Sequence, residues 1–413
     1  MLSRLVPIGV IKVVISEKKI RKIINENFDQ FVEIRRDLHR YPELGLEEFR
    51  TADKIEEYLR NWGIDIGDRI NKTSVIGMIK GNCFDGLVIG LRADIDALPI
   101  EELTNHTYKS MNPKKMHACG HDAHTAIQLG AAYVLKQIHD LIPGGVKLFF
   151  QQAEETVGGA QAMIDAGVLD HPHVSHVLGL HVCPKLSVGT FGIKYDDAYA
   201  SSDTITLYVH GQSAHAAAPQ DGVDAIVIAS NIVLALQTLV SRNTSPLDAA
   251  VLSFGMISGG EAHNVIANHV KLRGTLRTLD NEVRKMIKGR IFDVATNVAK
   301  AYGGEVSLAI ESGYDPVIND KQTTTIVEAV ARRALGDGNV HVLKHPTLGV
   351  EDFAYFAQKR PATYNRLGVA NTEKKITAPV HDGRFDIDEE AIRHGILIQV
   401  MSVLALMGVE VDD

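Results

Sequence analysis

The alternation of apolar and polar positions predicts helices and strands that follow one another through the first 200 residues. Apolar residues at helical spacing alternate with short apolar runs that are typical of buried strands. Helices are predicted at residues 18–40, 47–62, 124–141 and 159–166, and strands at 74–80, 87–92, 145–151 and 176–180. Strands that alternate with helices favour an α/β domain with a mainly parallel sheet covered by helices.

The pattern changes after Asp203, where strands predominate. Strands are predicted at residues 204–210, 249–257, 269–277 and 305–310, and helices at 224–240 and 281–302. This βαββαβ order is that of a ferredoxin-like α+β domain. The α/β alternation then resumes, with helices at 320–335, 351–358 and 389–406 and strands at 340–344 and 362–367. We therefore predict a discontinuous domain of residues 18–200 and 313–413 with an inserted domain of residues 201–312.

Residues 1–17 are predicted to be a loose tail. Their apolar run from Leu5 to Ile15 follows Arg4 and resembles a weak signal peptide. Lys12 interrupts that run, and no small-residue cleavage site follows before Glu17, so a signal peptide is not favoured.

Composition narrows the class of protein. Of the 413 residues, 45% are hydrophobic and 23% charged, which is typical of a globular enzyme. A net charge of -8 argues against a nucleic-acid partner, and no run approaches the roughly 20 apolar residues of a membrane span. The three cysteines, Cys83, Cys119 and Cys183, are too few and scattered for a disulfide framework, which favours a cytoplasmic location.

Residues 116–124 carry the densest set of chemically active side chains. Cys119, His121 and Asp122 offer thiolate, imidazole and carboxylate donors, which suit a metal ion of zinc type, and Gly120 permits a tight turn between them. One alternative is a polar turn that merely caps the following helix. Another is a cysteine nucleophile, with Cys119 activated by His117, His121 or His124.

Other polar residues follow predicted strands. Asp94, Asp96, Glu154, Glu155 and His181 all lie at the carboxyl ends of strands, where open α/β sheets bind ligands. Adjacent side chains at a strand end point to opposite sides, so one of the two glutamates is expected to bind metal and the other to act as a general base. His181, and His381 in a later loop, are candidate neutral ligands of a two-metal site.

Eight ordered motifs make the chain resemble the metal-dependent amidohydrolases that include aminoacylase, hippurate hydrolase and auxin-conjugate hydrolases. The first four are Arg-Ala-Asp-x-Asp-Ala-Leu-Pro (92–99), Met-His-Ala-Cys-Gly-His-Asp-x-His (116–124), Gln-x-Ala-Glu-Glu (151–155) and Gly-Leu-His-Val (179–182). The others are Ala-His-Ala-Ala-x-Pro (214–219), Gly-Thr-x-Arg (274–277), Gly-x-Glu-Asp-Phe (349–353) and the His381 segment. The match spans roughly residues 30 to 405.

The resemblance implies a dinuclear catalytic domain with an inserted lid that also mediates dimerisation, so a homodimer or tetramer is expected. Two divalent ions (zinc, manganese, cobalt or nickel) are implied for each subunit. Their implied ligands are Cys119, His121, Glu155, His181 and His381. Glu154 becomes the general base, His215 and Asn264 lie near the scissile carbonyl, and Arg277 binds the substrate carboxylate. Asp94 and Asp96 have no fixed role beyond orienting a ligand imidazole.

The expected activity is hydrolysis of the amide bond of N-acyl-L-amino acids, which are small molecules. Carboxypeptidase activity and N-acetyl-diaminopimelate deacetylase activity are alternatives within the same chemistry. A non-catalytic metal-binding or metabolite-binding protein is an alternative of another class, although such a protein needs no spare base beside its ligands.

Overall fold

The computed structural model describes residues 14–82 and 86–412. They divide into two compact units. The first contains the described residues up to Asp196, Asn319–Lys344 and the described residues from Phe356 onward, and the second contains Asp197–Ile318 and His345–Tyr355. Compared with the predicted division, the second unit also takes in residues 345–355. Cys83 and most of the predicted tail lie outside the described residues.

The helices and strands of the described residues are numbered in chain order. The helices are α1 (Glu17–Glu26), α2 (Phe28–Arg40), α3 (Phe49–Asn61), α4 (His121–Gln137), α5 (Ala160–Asp165), α6 (Ala225–Thr238), α7 (Asn281–Ala301), α8 (Lys321–Leu335), α9 (Ala354–Lys359) and α10 (Glu390–Leu406). The strands up to residue 200 are β1 (Val14–Ser16), β2 (Asp65–Ile66), β3 (Val75–Lys80), β4 (Val88–Asp94), β5 (Gly145–Gln151), β6 (Val174–Ser187), β7 (Phe191–Ile193) and β8 (Asp196–Tyr199). The later strands are β9 (Asp203–His210), β10 (Ala250–Gly259), β11 (His269–Thr278), β12 (Glu305–Ser312), β13 (Val317–Asn319), β14 (Val340–Val342), β15 (Ala362–Ala370) and β16 (Glu410–Asp412).

The described part of the first unit contains an eight-stranded sheet in the order β14-β7-β15-β6-β4-β5-β3-β2. Its central strands β15, β6, β4 and β5 are parallel. On one side β3 and β2 are antiparallel to their neighbours, and on the other β7 is antiparallel to β15 but parallel to the edge strand β14. The expected α/β class is confirmed, but the sheet is mixed. β4 and β5 are buried along their whole length, as expected for central parallel strands.

Helix α4 runs through the core of this unit and is buried on nearly every side. It packs closely on α10 because each of the two helices has a glycine where they cross. A Cβ atom on Gly130 of α4 would lie 2.3 Å from the Ile396 side chain, and one on Gly395 of α10 would lie 2.8 Å from the Ile127 side chain. Two helices can approach this closely only where side chains are missing, so these glycines fix the position of α4 and of the residues at its N-terminus.

Several predicted boundaries differ from those in the structure, and three of the differences affect the polar cluster or the N-terminal segment. Helix α4 begins at His121, three residues earlier than predicted, because Gly120 adopts a left-handed conformation (φ 84°) directly before it. Strand β6 continues to Ser187, so His181 lies within the strand and not at its end. Residues 14–16 form β1, which pairs in parallel with β16, so the predicted loose tail does not include them.

The described part of the second unit has a four-stranded antiparallel sheet in the order β10-β11-β9-β12 and its own apolar core. Helices α6 and α7 pack together and contribute Ile228, Ile232 and Ile287 to that core. The expectation that no run approaches the length of a membrane span was wrong. Among the helices in the described ranges, Ala225–Asn243 (mean hydropathy 1.6) is long and apolar enough to cross a membrane by length and composition alone. This segment includes α6, which buries Ile228 and Ile232 in the core of the second unit and exposes Leu234 on its surface.

Candidate metal centre

Polar side chains from several segments of the first unit converge at the carboxyl ends of its central strands. Asp94 ends β4 and is paired with Gln151, the last residue of β5. In β6, Gly179 is level with Arg92, which places His181 two residues further along, level with Asp94. The site therefore lies where β4 and β5 stop and β6 continues.

Gly120 allows Cys119 and His121 to face the same cluster. A Cβ atom at this position would lie 2.4 Å from the Val182 side chain, and its φ of 84° is in the left-handed region. Any other residue would therefore be strained and would push β6 away. The glycine that was predicted to permit a tight turn is required there for both reasons.

The structure brings together all five predicted metal ligands. Donor atoms of Cys119, His121 and His181 lie within 4.8 Å of one another, and so do those of Cys119, Glu155 and His381. Cys119 Sγ is 3.4 Å from His181 Nε2, and His381 Nε2 is 3.2 Å from Glu155 Oε1. Because Cys119 belongs to both groups, the geometry suits two ions that share neighbouring ligands.

Hydrogen bonds on the far side of each imidazole orient it toward the cluster. His181 Nδ1 lies 2.7 Å from the Val182 carbonyl oxygen, to which it donates, so Nε2 carries the lone pair facing Cys119. His121 Nδ1 lies 3.1 Å from Asp96 Oδ1, and within the described residues its buried Nε2 has no hydrogen-bond partner. A carboxylate behind a histidine, with the other nitrogen free, is the usual arrangement around a bound metal ion.

Contrary to expectation, Glu154 and Glu155 do not continue the extended backbone of strand β5. The strand ends at Gln151, and Ala153 adopts a left-handed conformation (φ 58°) that starts a turn. As a result, carboxylate atoms of both glutamates and a nitrogen of His121 lie within 4.8 Å of one another. The expectation that the two side chains point to opposite sides was therefore wrong, because it assumed extended backbone.

Electrostatics in the cluster favour a bound cation. Burial lowers the pKa of His121, but Asp94 and Asp96 outweigh this effect and raise it to about 10. Burial and the adjacent His124 lower the pKa of His181 to about 3, which keeps this imidazole neutral. Burial, together with Glu155 and Glu154, raises the pKa of the Cys119 thiol well above its ordinary value. Sulfur, nitrogen and oxygen donors surrounded by buried carboxylates fit a divalent metal ion of zinc type.

His124 supports the site without facing the metal cluster. Its Nδ1 lies 2.6 Å from Asp94 Oδ1, and its Nε2 accepts a hydrogen bond from the Val182 backbone at 2.9 Å. Both nitrogens are therefore occupied, and His124 links β4 to the segment that carries His181. Asp94 also accepts from the buried Arg92 guanidinium at 2.6 Å.

Asp122 belongs to a buried charge network with Arg35 at its centre. Arg35 Nε donates to Asp122 Oδ2 at 2.8 Å, and its Nη2 donates to Asp386 Oδ1 at 2.6 Å. His39 Nδ1 also lies 2.8 Å from Asp122 Oδ2. Arg35 thus connects the residue after His121 with the segment that follows His381. Burial lowers the pKa of His117 to about 3, so this histidine remains neutral.

The other predicted site residues lie in the second unit. His215 and Asn264 are both exposed and stand on two paired segments, in which the Ala216 backbone donates to the Asn264 carbonyl oxygen at 3.0 Å. Arg277 is half-buried in β11. His215 and Asn264 therefore form one surface feature of that unit.

Sequence reasoning missed Arg35, His39 and Glu48, which lie within about 40 residues of the N-terminal end of the described chain. Each is buried in the first unit, and two of them contact the network at Asp122. Polar residues on the buried face of an otherwise amphipathic helix were the available signal, since Arg35 and His39 fall at core positions of α2.

Comparison with known proteins places this geometry in context. The model of a protein family described as Peptidase family M20/M25/M40 matches residues 90–404. The N-acetyl-L-cysteine deacetylase of Bacillus subtilis is 42% identical over 364 residues, which cover 88% of this chain and 85% of that protein. Thermostable carboxypeptidase 1 of Saccharolobus solfataricus is 34% identical over 388 residues, which cover 93% and 97%.

A solved structure shows the same likeness in three dimensions. The YXEP protein of Bacillus subtilis, a dinuclear metal-binding peptidase of the M20 family, superposes with a TM-score of 0.82 at 33% identity. The alignment covers 93% of this chain and 99% of that one. The resemblance expected from the motifs is thereby confirmed.

Proposed function

The chain belongs to peptidase family M20/M25/M40 and is a hydrolase, and from this we propose that it hydrolyses the amide bond of N-acyl-L-amino acids with two divalent metal ions. The observation that carries the proposal is the convergence of Cys119, Glu155 and the three histidines with one further carboxylate, Glu154. A site that only bound metal would not need this additional buried carboxylate. The relative that deacetylates N-acetyl-L-cysteine supports an N-acyl amino acid as the substrate class.

Cys119, His121, Glu155, His181 and His381 would hold the ions. When bound, the two ions supply Lewis acidity, which lowers the pKa of water and polarises the scissile carbonyl. The donors are compatible with four metals: the thiolate and imidazoles suit zinc, cobalt or nickel, and the carboxylates suit manganese.

Glu154 is proposed as the general base. It takes a proton from the attacking water and later delivers a proton to the leaving amine, so that the amide nitrogen departs as a neutral amine. Its carboxylate is almost fully buried and lies within 4.8 Å of donor atoms of Glu155 and His121. This position is close enough to the proposed ligands for the Glu154 carboxylate to accept a proton from the attacking water.

His215, Asn264 and Arg277 are proposed to act on the substrate from the inserted domain, which would serve as a lid. His215 would stabilise the oxyanion of the tetrahedral intermediate, with Asn264 beside it. Arg277 would bind the substrate carboxylate, since a guanidinium matches two carboxylate oxygens. His215 is proposed to reach the site of the partner subunit in a homodimer.

The second unit offers a surface for that dimer. Strand β10 is an edge strand of its sheet and, among the described residues, pairs only with β11. Beside it a groove of about 400 Å³ is lined by residues of α6 and β10, including Leu234, Met256 and Ile257. These three side chains are between 59% and 70% exposed. An apolar edge strand of this kind is suited to pairing with a second copy of itself.

A cysteine nucleophile is the less favoured mechanism. Cys119 Sγ lies among donor atoms of Glu155, His181 and His381, so the proposed metal centre would use this sulfur as a ligand. Carboxypeptidase activity is the second candidate function, favoured by the similarity to thermostable carboxypeptidase 1. A cytoplasmic location is proposed from the small number of cysteines.

The test is a hydrolysis screen on chelated protein that is reloaded separately with zinc, manganese, cobalt or nickel. N-acetyl and N-benzoyl amino acids and short peptides are the substrates, and amine release is measured. We expect hydrolysis of N-acyl amino acids only after metal is restored. Activity that survives chelation would favour the thiol mechanism, preference for peptides would favour a carboxypeptidase, and tight metal binding without any turnover would favour a binding protein.

A further inference from the structure

Glu48 is a fully buried carboxyl group that has no place in the proposed mechanism. It stands directly before helix α3, but its side chain does not cap that helix. Instead, it accepts a hydrogen bond from the Ala153 backbone N–H at 2.8 Å. Glu48 and Ala153 are 105 positions apart in the sequence, so this hydrogen bond ties the Ala153 backbone to a distant segment of the first unit.

Ala153 begins the turn that carries Glu154 and Glu155, and its backbone is strained. Its φ of 58° lies in the left-handed region, which a residue with a Cβ atom seldom adopts. Its N–H is held by Glu48, and its carbonyl oxygen accepts from Gly158 N at 2.9 Å. Hydrogen bonds therefore hold the peptide units on both sides of Ala153, one from the distant Glu48 and one from within the turn.

A second buried carboxylate holds the same turn two residues later. Asp96 Oδ2 accepts from the Glu155 backbone N–H at 2.9 Å. The space around the turn is also tight, because a Cβ atom on Gly45 would lie 3.1 Å from Ala153 Cα and 2.4 Å from Thr156 Oγ1. The segment before α3 thus supports the turn. Among the described residues, the Glu48 side chain is the acceptor that binds the Ala153 N–H.

We propose that Glu48 is a positioning residue, which holds Ala153 in the left-handed conformation and thereby sets the positions of the Glu154 and Glu155 carboxylates. Without the acceptor, Ala153 relaxes to negative φ and the turn moves both carboxylates relative to Cys119 and His121. The catalytic consequence rests on the proposed function, whereas the effect on the backbone does not.

The state of the Glu48 carboxyl group agrees with this role. Burial, with a contribution from Asp96, raises its pKa to about 7. The carbonyl oxygen of the neutral acid accepts a hydrogen bond as the carboxylate does, so the contact with Ala153 does not depend on the charge. Glutamine should therefore replace Glu48, and residues without an acceptor should not.

The proposal is tested with Glu48→Met, which fills a similar volume without an acceptor, with Glu48→Ala, and with the conservative Glu48→Gln. Ala153→Gly is combined with the first two, because glycine adopts positive φ without strain. Glu57→Gln, at an exposed position of the same helix, is the control. Hydrogen exchange of the amides at residues 153–158 is measured on metal-free protein, and kcat and KM are measured on zinc-loaded protein.

In Glu48→Met and Glu48→Ala we expect the Ala153 amide to exchange at least ~10-fold faster and kcat to fall ~10-fold or more, with KM changed less than ~3-fold. Glu48→Gln should stay within ~3-fold of the unmodified protein, and Ala153→Gly should restore most of the lost kcat. Unchanged exchange at Ala153 in Glu48→Met, or double variants no faster than the single ones, would overturn the proposal.

Absence of turnover in the unmodified protein would count against the proposed function alone. The hydrogen-exchange comparison would still decide the role of Glu48, because it requires neither metal nor substrate.

Discussion

Asp96 lies 3.1 Å behind His121 and uses its two carboxylate oxygens for different parts of the site. Oδ1 faces His121 Nδ1, and Oδ2 accepts from the Glu155 backbone N–H at 2.9 Å. One buried carboxylate thus orients the imidazole of His121 and the backbone of Glu155, two of the proposed metal ligands. The loss of the Asp96 carboxylate should accordingly weaken metal affinity more directly than it changes the hydrolysis step.

We predict that Asp96→Asn lowers zinc affinity by roughly 10-fold to 100-fold, as the loss of a carboxylate behind a ligand histidine usually does. Asparagine can keep one acceptor toward His121, but its amide then presents N–H groups to the Glu155 N–H. Zinc competition with a chromophoric chelator measures the affinity. Asp165→Asn, at an exposed position at the end of helix α5, is the control, and equal affinities in the two variants would contradict the role of Asp96.

Glu154→Gln should nearly abolish turnover, with kcat reduced at least ~1000-fold, because the amide cannot take a proton from water. Metal content, measured by atomic emission, should remain the same because Glu154 is not a proposed ligand. Glu373→Gln, on an exposed loop, controls for the loss of a negative charge. Normal turnover in Glu154→Gln would remove Glu154 from the mechanism, and loss of metal would make it a ligand.

Arg35→Met should destabilise the first unit by about 3 to 5 kcal/mol, because it removes the buried guanidinium that the Asp122 and Asp386 carboxylates share. Fluorescence of the single tryptophan, Trp62, reports urea unfolding of this unit. Arg36→Ala is the matched control. Arg36 is 37% exposed and its ion pair with Glu389 should contribute no more than about 1 kcal/mol. Similar losses in the two variants would show that the buried network is not special.

Glu48 should make the stability of the protein fall as pH rises. Its pKa is raised from 4.5 to about 7 in the folded state, so between these values the folded protein binds a proton that the unfolded chain has released. The free energy of unfolding of Glu48→Gln relative to the unmodified protein should therefore increase by about 2 kcal/mol from pH 5 to pH 8. Titration of the metal ligands is common to both proteins and cancels. A pH-independent difference would show that the Glu48 pKa is not raised.

Sequence patterns predicted the helices and the buried strands well, because both depend on local periodicity. Helix α10 begins one residue later than predicted and ends at the predicted residue, and both ends of β5 are as predicted. The turn at Ala153 was not foreseen, since its left-handed backbone depends on Glu48, 105 positions away. The same is true of the length of β6, whose continuation past His181 is determined by pairing with β15. Contacts between distant segments, not local propensity, decided these features.

The proposed ligand residues could be listed from their motifs, and a role for Asp94 and Asp96 in orienting an imidazole could be expected, but not which histidine each of them faces. Only the fold shows that Asp96 occupies one nitrogen of His121, whereas both nitrogens of His124 are occupied. Arg35 carries no motif of its own, and its importance follows from the two buried carboxylates that it joins.

The proposed dimer should depend on the edge of the second unit. Leu234→Glu and Met256→Glu place a charge on the groove beside β10 and should convert a dimer to a monomer, as measured by sedimentation velocity. Val342→Glu, at a position 52% exposed in the first unit, is the control and should leave the dimer intact. An unmodified protein that sediments as a monomer would contradict the proposed dimer.

If His215 acts in the partner's site, two inactive variants should complement each other. A Glu154→Gln subunit keeps His215, and a His215→Ala subunit keeps Glu154, so a mixed dimer contains one site with both residues. Mixing equal amounts under conditions of subunit exchange forms about half mixed dimers, and activity should rise to roughly a quarter of the unmodified value. The Leu234→Glu change introduced into both variants should prevent this recovery. Absence of recovery despite verified exchange would mean that His215 serves its own subunit, because then no dimer would contain an intact site.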